Sequence, residues 1–269
     1  MATQLSGALK RLLPELRFEP TSKRIRARLD DAVVLDSSRA VLVWEPKRIL
    51  PGYAVPEADV AASLSPAASP PPAGADPAEL PVIFPSVPFS VRLSGGDLLD
   101  VAAGNRKAPS AAFRLADPDL AGYIVFDFGA FDWFEEEEPI QSHPRDPFHR
   151  VDTRRSSRHV QVSLNGRTLA DSHAPTLVFE TNLPVRTYFP PEDVNWPELN
   201  ATDSMTGCAY KGQASYWALV DGDGRDIAWS YRTPLPDAAQ LAGLVCFYDE
   251  YTDVTIDGEP QLRTATPRA

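Results

Sequence analysis

Residues 159–172 read HVQVSLNGRTLADS, and their pattern decides the fold. Apolar residues recur at every second position through Val160, Val162 and Leu164, the period of a half-buried strand. Asn165-Gly166 follows, a dipeptide suited to the left-handed backbone of a tight turn, and residues 167–172 return. The stretch is a β-hairpin. TLVFET (176–181), ASYWALVDGDGRDIAWSY (214–231) and GLVCFYDEYTDVTIDG (243–258) follow the same pattern, with turns at Asp221–Gly224 and Asp257-Gly258. PDAAQLAG (236–243), opening on Pro and closing on Gly, suggests a helical turn.

The hairpin has a counterpart upstream. SKRIRARLDDAVVLDSSRAVLVWEPKRILPGYAVPEADV (22–60) runs parallel to SRHVQVSLNGRTLADSHAPTLVFETNLPVRTYFPPEDV (157–194) at an offset of 160 − 25 = 135. That offset pairs Leu29 with Leu164, Asp36 with Asp171, Trp44 with Phe179, Glu45 with Glu180 and Tyr53 with Tyr188. LAGYIVFDFGAFDWFEEEEP (120–139) matches LAGLVCFYDEYTDVTIDGEP (241–260) at 241 − 120 = 121. Two blocks in the same order predict a duplicated, mainly β domain of antiparallel strands. The expected division is a helix over 1–20, a first repeat over 21–140, a connector over 141–156 and a second repeat over 157–262. Eight of the 27 prolines fall in residues 65–88, which predicts an extended or mobile insertion without packed structure. The acidic run Glu135–Glu138 is expected to be a solvated loop.

A net charge of 26 − 37 = −11 repels phosphate backbones and anionic lipids, so nucleic acid is an unfavourable partner. No apolar run approaches the roughly 20 residues that span a bilayer. Cys208 and Cys246 are too few for a disulfide framework or a four-cysteine zinc site, and they read as cytoplasmic thiols. Leu5, Leu9, Leu12, Leu13 and Leu16 lie near helical spacing in a short amphipathic helix that Pro14 kinks or ends, with no export signal.

RHVQVSLNGRTLADS (158–172), YFPPEDV (188–194), TGCAYKGQASYW (206–217), IAWSYRTPLP (227–236) and LAGLVCFYDEYTDVTIDG (241–258) resemble, in order, the motifs of the domain of unknown function 427 family. The family's core motif is Thr-x-Cys-Pro-Tyr-Lys-Gly; here Ala209 stands in place of the proline. The first repeat matches only in its first and last blocks. With the connecting HPRDPFHRVD (143–152), the tandem arrangement resembles actinobacterial two-copy members. The resemblance implies two β-tent (Mss4-like) domains. The paired Cys-x-x-Cys zinc motifs of that fold's relatives are missing here, so no metal and no cofactor are expected. A nucleotidyltransferase label sometimes given to the family finds no phosphate-cradling glycine loop and no paired metal carboxylates to support it.

TGCAYKGQASYW carries the candidate chemistry. In a catalytic reading Cys208 attacks or positions, Lys211 stabilises developing negative charge, and Tyr210 or Tyr188 passes a proton. Glu180, Arg186, Tyr188, Asp193, Thr206, Gly212, Tyr216, Trp229 and Tyr231 are gathered around them as a small-molecule pocket for an anionic or carbonyl-bearing metabolite. The first repeat has PFSVRL where the second has YKG, so the amine is expected only once. Glu180 and Tyr188, whose counterparts Glu45 and Tyr53 lie in the repeat without YKG, are also candidates for a shared structural role. The alternative to an enzyme is a non-catalytic module that grips a ligand or a partner protein with the same groups. His143 and His149 in the connector read as solvated turn residues, and His159 and His173 as strand and turn positions.

Overall fold

The computed structural model describes residues 2–68 and 78–263. It divides into one unit ending at Asp146 and a second over Pro147–Arg268. After the helix α1 (Leu5–Lys10), the first unit holds eleven strands: β1 (Arg17–Pro20), β2 (Ile25–Leu29), β3 (Ala32–Ser37), β4 (Val41–Trp44), β5 (Gly52–Pro56), β6 (Ser63–Pro66), β7 (Gly96–Ala103), β8 (Arg106–Leu115), β9 (Tyr123–Phe126), β10 (Asp132–Glu135) and β11 (Glu138–Ile140). The second unit holds β12 (Val151–Arg155), β13 (Val160–Leu164), β14 (Arg167–Ser172), β15 (Thr176–Glu180), β16 (Arg186–Phe189), β17 (Leu199–Cys208), β18 (Gly212–Leu219), β19 (Asp226–Tyr231), β20 (Val245–Phe247), β21 (Asp253–Ile256) and β22 (Glu259–Pro260). All pairings between these strands are antiparallel.

Each unit builds a seven-stranded and a four-stranded sheet. The large sheets run β1-β4-β5-β9-β8-β7-β6 and β12-β15-β16-β20-β19-β18-β17, and the small ones β11-β10-β2-β3 and β22-β21-β13-β14. Adding eleven to each strand number of the first unit gives the order of the second. The inner core of each unit draws buried residues from both sheets: Ile25, Leu35, Tyr53, Val101 and Phe126 in the first, Val160, Leu169, Phe189, Trp217 and Phe247 in the second. A further buried layer lies on the outer face of each large sheet.

The opening hairpin forms as its sequence requires: Leu164 pairs with Arg167, and Asn165 and Gly166 take φ of 53° and 77°, the left-handed conformation of a type I′ turn. PDAAQL (236–241) is 3₁₀-helical. No helix among the described residues is long and apolar enough to cross a membrane.

Several expectations need correction. The helix expected over 1–20 covers only Leu5–Lys10, and Arg17–Pro20 is a strand; Val151–Arg155, inside the expected connector, is another. Residues 69–77 of the proline-rich insertion lie outside the described residues, but its flanks are ordered. Ser63–Pro66 pairs with β7, and Ile83 is buried, its N–H donating to the Lys47 carbonyl. The acidic run is solvated at Glu136, Glu137 and Glu138, around the tight β10–β11 turn, but Glu135 is buried, accepting from the Tyr53 hydroxyl and pairing with Lys23. One isolated glutamate in an apolar strand pair is tolerated because both donors reach it.

Candidate functional site

The TGCAYKG motif is the β17–β18 hairpin. Cys208 pairs with Gly212, leaving Ala209, Tyr210 and Lys211 as a three-residue loop. Gly212 has φ of 96°, which an L side chain rarely adopts, and an added Cβ would stand 3.4 Å from both the Thr233 carbonyl oxygen and the Leu235 nitrogen. Glycine is thus required by the turn itself. The Leu235 N–H donates to the Lys211 carbonyl at 3.2 Å and ties the loop to residues 233–235.

The loop directs Lys211 inward. Its side chain is 9% exposed, and its ammonium is ion-paired with Glu180, itself 8% exposed. The other Glu180 oxygen lies 3.0 Å from His149 Nε2, and the His149 ring stacks on Tyr210 with centroids 4.3 Å apart. Burial pushes the Glu180 carboxyl up. The His149 hydrogen bond and the Lys211 ammonium outweigh it and hold the group below its ordinary value. His149, expected to be a solvated turn residue, is therefore part of this charge cluster. A histidine 31 residues from its partner leaves no local trace in the sequence.

Tyr188, Tyr216, Trp229 and Tyr231 form the outer-face layer with Val178, Ala214, Leu241 and Cys246, and Cys208 packs at its edge, half-buried. Trp229 Nε1 donates to the Tyr188 hydroxyl at 3.0 Å, and Thr206 Oγ1 shares a hydrogen bond with the Tyr216 hydroxyl at 2.5 Å. Burial raises Tyr188 and Tyr231 above the ordinary phenol range. Cys246 was missed as a member of this layer. Burial raises its thiol too, with the nearby Asp249 charge adding to the effect. Arg186 reaches the same face, its Cζ 5.6 Å from the Trp229 ring centroid, with its nitrogens on Glu250 and Asp249 at 2.6–3.3 Å. Asp193 is not with them. It sits on the 3₁₀ turn Pro191–Asp193 beside Val194, which packs into the inner core.

Strand register corrects the residue pairing between the two units. Tyr188 lies opposite Thr176 and Cys246, and the residue opposite Val41 and Val125, the first-unit counterparts, is Ala54 rather than Tyr53. Tyr53 corresponds to Thr187. The segment joining β15 to β16 is one residue shorter than that joining β4 to β5, and a one-residue slip turns a side chain to the other face of a sheet. Tyr53 accordingly packs in the inner core and Tyr188 in the outer layer.

The amine occurs once, but the first unit has a guanidinium in a similar role. In the first unit, the PFSVRL segment supplies Arg92, whose Nη1 donates to Glu45 Oε2 at 2.7 Å, and Arg48 Nε joins at 3.2 Å. Glu45 is 3% exposed. Both units therefore bury one glutamate at the same strand position and hold it with a cation from the loop entering the equivalent strand. Arg92 lies four residues before Gly96, Lys211 three before Ala214, and Gly96 and Ala214 share a register position.

A cleft of about 450 Å³ lies in the first unit, against the small sheet, with Arg28, Phe128, Trp133, Phe134 and Ile140 in its wall. Among the described residues no group of three or more His, Cys, Asp or Glu side chains is placed to hold a metal.

Residues 152–258 match the family model of a domain of unknown function, DUF427. The match spans β12 to the β21–β22 turn, and so includes the Glu180–Lys211–His149 cluster except His149 itself. No curated protein matches the chain.

Proposed function

We propose that the second unit is a small-molecule-binding module whose ligand lies on the outer face of the large sheet, beside Cys208 and against the tyrosine hydroxyls. One observation carries this reading. At matched register positions the outer face has Tyr188, Tyr216, Trp229, Tyr231 and Cys246 in the second unit, against Ala54, Leu98, Phe113, Leu115 and Val125 in the first. Apolar side chains are sufficient to fill this layer, so phenol hydroxyls, costly to bury unless hydrogen-bonded, need another reason.

Of the two ligand classes expected from the sequence, a carbonyl-bearing molecule fits better than an anion. Lys211 is already neutralised by Glu180, and separating a buried pair costs about 3–5 kcal/mol, which an anion must recover before it binds. Hydroxyl donors facing a carbonyl carry no such cost. The catalytic reading is weaker than the binding one for the same reason: Lys211 is engaged by Glu180 and Tyr210 by His149. We also propose that the first unit is a diverged second copy of the domain and that both units are β-tents; the eleven-strand correspondence supports this.

The test uses Cys208 as a reporter. Compounds from a metabolite library that raise the melting temperature should slow alkylation of Cys208, and Tyr231→Phe should weaken their binding. Mass spectrometry of the bound compounds should recover them unchanged. Hits that leave Cys208 labelling untouched would place the ligand elsewhere and end this reading.

A further inference from the structure

Arg92 poses a separate problem. It is almost fully buried, and burial lowers its pKa against the opposing charge of Glu45. Only one edge of its guanidinium is used: Nη1 bonds Glu45. Nε and Nη2, the two nitrogens that together form its side-on fork, are buried and have no hydrogen-bond partner among the described residues. Ser94 Oγ, two residues on, is in the same condition. Buried donors left unpaired are unfavourable, and few survive in native proteins without a water, ion or ligand to account for them.

The surroundings narrow what could fill this gap. Glu45 is shared by Arg92, Arg48 and the Ser94 N–H, so one carboxylate serves two guanidinium groups. The other carboxyl near them, Asp127, accepts from the Gly129 N–H. Burial pushes the Asp127 carboxyl up, against the Gly129 hydrogen bond and the Arg92 and Arg48 charges. No hydrogen bond joins it to the open Arg92 fork. Arg92 also packs against two rings, with its Cζ 3.6 Å from the Phe89 centroid and 4.5 Å from that of Phe113. Rings this close to the guanidinium carbon favour approach in the guanidinium plane, where a planar carboxylate matches the fork in two parallel bonds. A tetrahedral phosphate would press its out-of-plane oxygens towards the rings. Phe89 is half-buried and Phe113 buried, so Phe89 is the ring nearer solvent.

We propose that the first unit holds a binding site for a small carboxylate, with the Arg92 Nε/Nη2 fork taking both oxygens, Ser94 Oγ donating a third bond and Phe89 covering the entrance. This site is independent of the one proposed in the second unit.

The experiment titrates the full chain with ¹³C-carboxyl acetate, propionate and benzoate, and with inorganic phosphate, by NMR and calorimetry. The Arg92 Nε–H resonance serves as the site-specific reading. Saturable carboxylate binding is expected, with a shift of the Nε–H signal. Arg92→Lys, which keeps the charge on Glu45 but removes the fork, should weaken binding at least tenfold, and Ser94→Ala several-fold. Phosphate should bind more weakly than acetate. Arg92→Lys is the variant of choice because it preserves the buried ion pair, and an unchanged melting temperature verifies that it folds. Saturable binding unaffected by Arg92→Lys, phosphate binding tighter than every carboxylate, or an Nε–H signal that none of the anions moves would each overturn the proposal; the last would assign the fork to water.

Discussion

The two large sheets share strand order and a buried glutamate, yet their outer faces differ in chemical character. In the first unit the layer is aliphatic, with Val41, Val43, Leu115 and Val125 around Phe113. In the second it is phenolic and thiol-bearing, with Tyr188, Tyr216, Tyr231 and Cys246 around Trp229. The glutamate pairs, by contrast, are alike: Glu45 with Arg92 and Arg48, Glu180 with Lys211 and His149. What both units retain reads as architecture, and what only one carries reads as function. By that reasoning Lys211 belongs to the architecture and the tyrosines to the site.

The largest effects should come from the shared pairs. Glu180→Ala strands Lys211 in the interior and is expected to destabilise the second unit by about 3–5 kcal/mol in urea unfolding. Glu45→Ala, which strands Arg92 and removes one partner of Arg48, should cost the first unit at least as much. Replacing Glu180 and Lys211 together by Leu and Met should recover most of the loss, because apolar residues of similar volume substitute well for a buried pair. If instead Lys211→Met alone proves neutral for stability, the architectural assignment fails.

Acid should then separate wild type from variant. Glu180 titrates below the ordinary glutamate value of 4.5 in the folded chain, so the unfolded chain binds its proton first as pH falls. Its contribution is present above that value and is lost as pH drops through the lower folded pKa. Glu180→Gln should flatten the second unit's stability curve as pH falls below the ordinary glutamate value of 4.5. An unchanged slope would mean that other carboxylates dominate the acid response.

A smaller effect is expected inside the phenolic layer. Tyr188→Phe removes the acceptor of the Trp229 N–H and should cost about 1–3 kcal/mol, the desolvation of one buried donor. The Ala54 position of the first unit has no such bond to lose. The smallest effect concerns the thiols: Cys208, half-buried, should react with an alkylating reagent in the native protein, while Cys246, fully buried, should react only on unfolding. Equal rates would contradict the placement of both.

Much of this organisation was legible in the sequence. Alternation and the Asn165-Gly166 turn located the strands, and the offsets of 135 and 121 paired them across the units. The site was legible only in part. A repeat alignment carried across a loop by constant offset hides a one-residue slip, and that slip exchanges Tyr53 for Ala54 opposite Tyr188. Arg92 was hidden because it is a guanidinium at a different place in its loop from the Lys211 amine, although each cation pairs with a buried glutamate. Charge pairing across 31 or 47 residues, as for His149 with Glu180 and Arg92 with Glu45, follows from sheet topology and leaves no local pattern to find. Alternation places Tyr216, Trp229 and Tyr231 on one face of the large sheet, as the sequence suggests, whereas Asp193 lies on a separate 3₁₀ turn away from that layer.

The division between architecture and site is tested most directly by ligand binding to two variants. The compounds that raise the wild-type melting temperature are measured by calorimetry against Lys211→Arg and against a Tyr216→Phe/Tyr231→Phe/Cys208→Ser triple variant. The account predicts that the arginine variant binds within about threefold of wild type, while the triple variant folds and loses at least tenfold in affinity. Loss in the arginine variant with retention in the triple variant would contradict it, as would a library in which nothing binds the wild-type protein at all.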